Sequence, residues 1–173
     1  MPYEIGKQKL IDFLEQIDKV LSSKIKLIAV GGTAMTLLGL KSSTLDIDFC
    51  LTSNQNRKIF AKTSSELPHG YRIDLYESGA IFSQQLPEDY ETKAIPISTK
   101  FKNLELFALS PLDIIVTKIG RLNERDWEDI KSCIKHAKLT KQQIKQRAKQ
   151  VTYAGNDELY EYNLTDVLNK CFN

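Results

Sequence analysis

Ile28-Ala29-Val30-Gly31-Gly32-Thr33-Ala34 and, a little further on, Leu45-Asp46-Ile47-Asp48-Phe49 decide how this chain is read. The first is an apolar run that ends in two glycines. The second is an apolar run holding two carboxylates one residue apart. Glycines that follow a strand let backbone N–H groups approach a phosphate. Aspartates at i and i+2 of a strand share one face and suit a hard divalent cation. Together they imply a site for a nucleoside triphosphate and its metal. Each alone has a plainer explanation. A strand-to-helix turn needs glycine for its backbone, and Asp46 and Asp48 equally suit the polar outer face of a half-exposed strand. No Gly-Lys-Ser/Thr follows, which excludes a P-loop, and the third glycine of a dinucleotide fingerprint is missing.

Outward from this stretch the pattern is regular. Ile5, Leu10, Phe13, Leu14, Ile17 and Leu21 recur at helical spacing, which predicts a helix over 4–21. Lys26 to Val30 reads as a buried strand, and Thr33 to Leu40 as a helix with Thr33 at its N-cap. Asp46 to Leu51 is a second strand, with Asp46, Asp48 and Cys50 on one face. Ser53-Asn54 caps a helix over about 56–67. Tyr71 to Tyr76 is a third strand with Asp74 in its middle. A neighbouring strand would set Asp74 beside Asp46 and Asp48, and three such carboxylates near a glycine turn suit two-metal phosphoryl chemistry. Residues 77–90 read as a loop or a short irregular element. Residues 92–98 and 104–109 read as two further strands. Ser110-Pro111 opens a series of helices that runs to about Lys170.

The 173 residues amount to one ordinary domain, or a compact domain with a small appendage. Apolar residues are 42% and charged residues 27%, a soluble globular balance. No apolar run approaches the roughly 18 residues of a membrane span, and Met1-Pro2-Tyr3-Glu4 lacks the basic region of a signal peptide. Cys50, Cys133 and Cys171 form no CxxC pair, so reduced thiols in a cytoplasmic protein are expected. His69 and His136 are expected at the surface and Trp127 in the core. Net charge is +2, but no acidic residue occurs from Ile130 to Asn156. The lysines of that stretch, with Arg147, are either a solvated helix face or a nucleic-acid footprint over 131–149.

The last cluster runs from Ser110-Pro111 through Lys118, Arg121 and Arg125-Asp126-Trp127-Glu128-Asp129. On a helix Lys118 and Arg121 are i, i+3 neighbours with Arg125 one turn on, a row of cations that could meet a triphosphate. The plainer alternative is a surface stripe in which Arg125 and Asp129 pair.

With these motifs in place, the chain resembles the nucleotidyltransferase superfamily of polymerase-beta-like fold. Its tail is similar to the AbiEii-type abortive-infection toxins of type IV toxin–antitoxin systems. The resemblance covers about residues 25–135. It implies an α+β nucleotidyltransferase core over 1–109, a small mixed sheet flanked by helices, followed by a helical C-terminal region over 110–173. It implies that Gly31, Gly32 and Thr33 cradle the nucleotide phosphates, with Thr33 in place of the toxins' serine. It implies that Asp46 and Asp48 hold Mg²⁺ (or Mn²⁺), with Asp74 the third carboxylate, as metal ligand or as base. Lys118 would neutralise the triphosphate beside Arg121, with Arg125 and Asp129 in support. The implied reaction moves NMP from an NTP to a hydroxyl, on an RNA or tRNA end or on a protein. An antitoxin partner comes with the same resemblance, and no membrane does. The alternative is a catalytically silent binding or regulatory module.

Overall fold

The structure is a computed structural model that describes residues 3–172; the reading of Met1-Pro2 lies outside them. The chain runs through β1 (Ile5–Gly6), α1 (Lys7–Val20), β2 (Ile25–Ala29), α2 (Gly31–Leu37) and β3 (Ser43–Thr44). It continues through β4 (Ile47–Leu51), α3 (Asn54–Ser65), β5 (Ile73–Glu77), β6 (Ala80–Ile81), β7 (Gln84–Gln85) and α4 (Tyr90–Lys93). Then come β8 (Ile95–Pro96), β9 (Leu104–Ala108), α5 (Pro111–Val116), α6 (Glu124–Ala137), α7 (Lys141–Lys149), β10 (Thr152–Tyr153) and α8 (Asp157–Phe172). A mixed sheet with flanking helices, followed by helices, is the α+β class that the sequence predicts.

Two units form. The first comprises Met1–Ser78 and Ala94–Leu109, and the second Gly79–Lys93 and Ser110–Asn173. The second therefore takes residues 79–93, which the sequence reading placed in the 1–109 core.

In the first unit the strand order is β5-β4-β2-β9-β8. β2 lies antiparallel to β4 and parallel to β9, and β4 lies parallel to β5. The central strand β4 is covered on both faces: every residue of it is buried, Asp48 included. Helix α1 buries Leu10, Phe13, Leu14 and Ile17, each worth about 1.5–3 kcal/mol. At its end the buried Asp18 carboxylate accepts the N–H groups of Lys102, Asn103 and Leu104 at 3.0, 2.7 and 2.8 Å. That clamp ties the end of α1 to the start of β9. Burial pushes the Asp18 carboxyl up, but the three N–H donors and the nearby Lys102 charge outweigh it and hold the group below its ordinary range. Ser53 caps α3, its hydroxyl accepting the Asn56 N–H at 3.1 Å.

In the second unit residues 79–93 hold two short strands and one helical turn, where the sequence suggests a loop or a short irregular element. β6 and β7 pair antiparallel, and β10 adds to β7. The turn between β6 and β7 uses Phe82 and Ser83 at φ 48° and 70°. Hairpins normally place Asn-Gly there, so no turn signal was visible in the sequence. Ser110 caps α5 with Pro111 behind it. Capping boxes open α6 (Asn123 with Asp126) and α7 (Thr140 with Gln143). Trp127 is half-buried beneath the Lys170 ammonium, 5.2 Å from the ring centre, rather than a core anchor. Among the described residues no helix is long and apolar enough to cross a membrane.

Candidate functional site

Asp48 and Asp74 are register partners on the parallel strands β4 and β5. Paired residues of parallel strands point to the same side, with strands about 4.8 Å apart. The two carboxylates therefore rise side by side. Asp48 is 9% exposed and Asp74 is more open, with the exposed Arg72 guanidinium 3.4 Å from its carboxylate. Asp46 lies one residue before β4 and is half-buried. Its carbonyl is gripped by two hydroxyls, Thr33 Oγ1 at 3.1 Å and Thr44 Oγ1 at 2.9 Å.

The glycine turn is fastened to this strand. The Val30 N–H donates to the Asp48 carbonyl at 3.1 Å, and the Thr33 hydroxyl accepts the Asp48 N–H at 2.9 Å. Thr33 is therefore not the N-cap. Val30 takes that place without a side-chain bond, and the helix starts at Gly31, whose φ of 54° favours glycine. Gly32 is required for a different reason: a Cβ there would stand 2.8 Å from Thr44 Oγ1. The Thr33 hydroxyl, fully buried, bonds to the aspartate strand as both donor and acceptor. It is a positioning group for Asp46 and Asp48.

Among the described residues no three acidic, imidazole or thiol groups gather as a metal-binding cluster. Asp46, Asp48 and Asp74 thus do not form a three-carboxylate cage in this structure. The in-register pair Asp48 and Asp74 fits Mg²⁺ in its usual mode, one or two carboxylates with substrate phosphates and water completing the shell.

In the second unit Lys118 and Arg121 do not ride a continuous helix. Residues 117–121 form turns and Leu122 has a φ of 45°. Lys118 is 3% exposed, its ammonium 3.2 Å from Asp126 and 3.0 Å from Asp129. Arg121 adds a fork onto Asp126, at 2.8 and 2.7 Å. Burial pushes the Asp126 carboxyl up, but the Arg121 fork, the Lys118 charge and the Asn123 N–H hold it below its ordinary range. A triphosphate at Lys118 would have to displace an aspartate from it. Asp129 pairs with Lys118, and Arg125 is exposed. Asp126, the hub, is a residue the sequence reading passed over; its signal was an acid at N3 of a helix after Asn123.

The basic stretch 131–149 is not one surface. Arg147 is 4% exposed, forked onto Asp113 at 2.6 and 3.0 Å and bonded to Asp89 at 2.9 Å. Lys131, Lys135, Lys138, Lys141, Lys145 and Lys149 are exposed.

The comparisons agree with this geometry at the level of fold and family. The fold is similar to the crystal structure of an antigenic nucleotidyltransferase-like protein from Paracoccidioides brasiliensis. That likeness has a TM-score of 0.56 at 13% identity, over 97% of this chain and 91% of that one. No curated protein matches the chain in sequence. A family model described as nucleotidyltransferase of unknown function (DUF6036) matches residues 8–171. With nearly the whole chain inside that match, the protein belongs to the DUF6036 family of nucleotidyltransferases.

Proposed function

We propose that the chain transfers a nucleoside monophosphate from an NTP to a hydroxyl acceptor, releasing pyrophosphate. The observation that carries this is the in-register pair Asp48 and Asp74 on β4 and β5, fastened to the Gly31-Gly32 turn through Val30 and Thr33. Mg²⁺, or Mn²⁺ in its place, would be held by Asp48 and Asp74 and would supply charge stabilisation for phosphoryl transfer. Asp74, the more open carboxylate, accepts the proton of the acceptor hydroxyl. The freed oxygen forms a bond to the α-phosphorus as the bond to the pyrophosphate oxygen breaks. The bonds from the Val30 N–H to the Asp48 carbonyl and from the Asp48 N–H to the Thr33 hydroxyl fix the main chain that carries the Asp48 carboxylate. Gly31 and Gly32 keep side chains off the turn where the phosphates would lie. Thr33 acts through Asp48, and Asp46 flanks the pair.

The acceptor in this reading is an RNA end, with the exposed lysines between 131 and 149 as its electrostatic footprint. The role is that of the toxin in a toxin–antitoxin pair. Labelled-NTP transfer to bulk RNA and protein tests the chemistry. Asp48→Asn and Asp74→Asn are expected to lower transfer by a hundredfold or more with circular dichroism unchanged; equal labelling by wild type and both variants would refute it. Growth arrest on expression, relieved by a neighbouring reading frame, tests the toxin role.

A second reading is favoured by the lack of a three-carboxylate cluster among the described residues. In it the chain is a nucleotide-binding module without turnover. Calorimetric NTP binding in Mg²⁺ without transfer to RNA or protein would select it.

A further inference from the structure

A cavity of about 390 Å³ opens in the first unit, between α1 and residues 68–71. Ligand pockets of this size are common, and its walls are unusual for a solvent dent. Phe13 packs edge-on to His69 and Tyr71, with ring centres at 5.0 and 5.3 Å. His69 and Tyr71 lie nearly parallel, 18° apart. The His69 ring is pinned at both nitrogens: Nε2 lies 3.0 Å from the Ser64 carbonyl, and Nδ1 accepts the Tyr71 N–H at 3.2 Å. Tyr3 completes the aromatic wall, with the Lys9 ammonium 4.4 Å above its ring. Rigid aromatic faces beside a lysine are the means by which proteins hold single nucleic-acid bases, stacking for the base and a cation for its phosphate.

The cavity continues toward Asp46. A second cavity of about 280 Å³ shares Tyr3, Gly70 and Tyr71 with the first and extends to Asp46 and Arg72. Its lining comes from the chain just before β4 and β5, the strands that carry Asp48 and Asp74. Neither cavity is lined by a residue of α2. Gly31 and Gly32, assigned to the triphosphate, thus belong to neither wall. We infer that the aromatic cavity takes the terminal base of an RNA acceptor, placing its ribose hydroxyl toward Asp74 with Arg72 and Lys9 beside the neighbouring phosphates. The inference rests on the transfer reading above for the choice between acceptor and incoming nucleotide.

The test uses the full chain and a 5′-fluorescein hexaribonucleotide, followed by anisotropy in EDTA without NTP. A matching oligonucleotide carries an abasic 3′-terminal residue. Wild type is expected to bind the intact strand about tenfold more tightly than the abasic one. Tyr3→Ala and Tyr71→Leu are expected to weaken the intact strand by about the same factor and to leave abasic binding unchanged. Tyr3 is 61% exposed, so its variant keeps the test open should Tyr71→Leu fail to fold. No oligonucleotide binding, no penalty for the abasic end, or equal losses for both strands would each overturn the inference. Calorimetric NTP binding in Mg²⁺ is measured beside the anisotropy, and a loss in Tyr3→Ala and Tyr71→Leu confined to NTP would also overturn the inference, since it would place the incoming base there. Base-dependent binding without any nucleotidyl transfer would uphold the cavity and sink the transfer reading. Transfer with an unchanged RNA KM in Tyr3→Ala would do the reverse.

Discussion

The hydroxyl of Thr33 sits between the Asp46 carbonyl and the Asp48 N–H, at 3.1 and 2.9 Å, with no exposed surface. Replacing it by valine preserves the shape and leaves the buried Asp48 N–H unpaired. Thr33→Val is therefore expected to cost about 1–3 kcal/mol, read as a lower urea midpoint, and Thr33→Ser much less. Transfer activity should fall further in Thr33→Val than stability alone explains, because Asp48 loses its tether. At this scale the chemistry was legible in the sequence and the geometry was not. Two aspartates in an apolar strand, a third in the next one and a glycine pair stood out because each residue type is disfavoured where it occurs. Thr33 looked like a cap because threonine at a strand-to-helix turn normally is one. Gly31, at a φ of 54°, lets the helix begin two residues earlier and frees that hydroxyl for the strand.

At the scale of elements, α5, α6 and α7 are tied by buried ion pairs rather than by apolar contact alone. Lys118 answers Asp126 and Asp129, and Arg147 answers Asp113 and Asp89. Removing one partner of such a pair strands the other in low dielectric. Lys118→Met is expected to destabilise by about 3–5 kcal/mol, measured by urea unfolding. Arg147→Ala should cost a similar amount, whereas Lys145→Ala, two residues away and exposed, should stay within about 0.5 kcal/mol. Equal effects at 145 and 147 would mean that the Asp113 fork contributes nothing. Nothing in the sequence separated Arg147 from its lysine neighbours, since charge says nothing of which helix face turns inward. Asp113 lies amid Leu112, Ile114 and Ile115, and its carboxylate is the buried partner of Arg147. The caps at Ser53 and Ser110 were legible because their side chains carry the signal. The β6–β7 hairpin was not, because Phe82 and Ser83 adopt left-handed backbone without glycine.

For the whole molecule, two carboxyls held below their ordinary range set the acid limit. Asp18 serves the first unit and Asp126 the second. A carboxyl lowered on folding contributes stability above its unfolded value of about 3.9, and that contribution disappears as pH falls through the lower folded value. The thermal midpoint should hold between about pH 7 and 5 and fall below about 4, with Asp18→Asn lower at neutral pH and less sensitive to acid. The path of the chain has another effect, on synthesis. β2 takes its parallel partner from residues 104–108, about seventy-five residues later, after the chain has left for the second unit at Gly79 and returned at Ala94. On the ribosome one edge of the nascent sheet stays bare until that return is made. An apolar unpaired edge is the surface on which chains aggregate. A nascent chain stalled before Leu104 should therefore recruit chaperones more strongly than one stalled after residues 104–108 have left the ribosome.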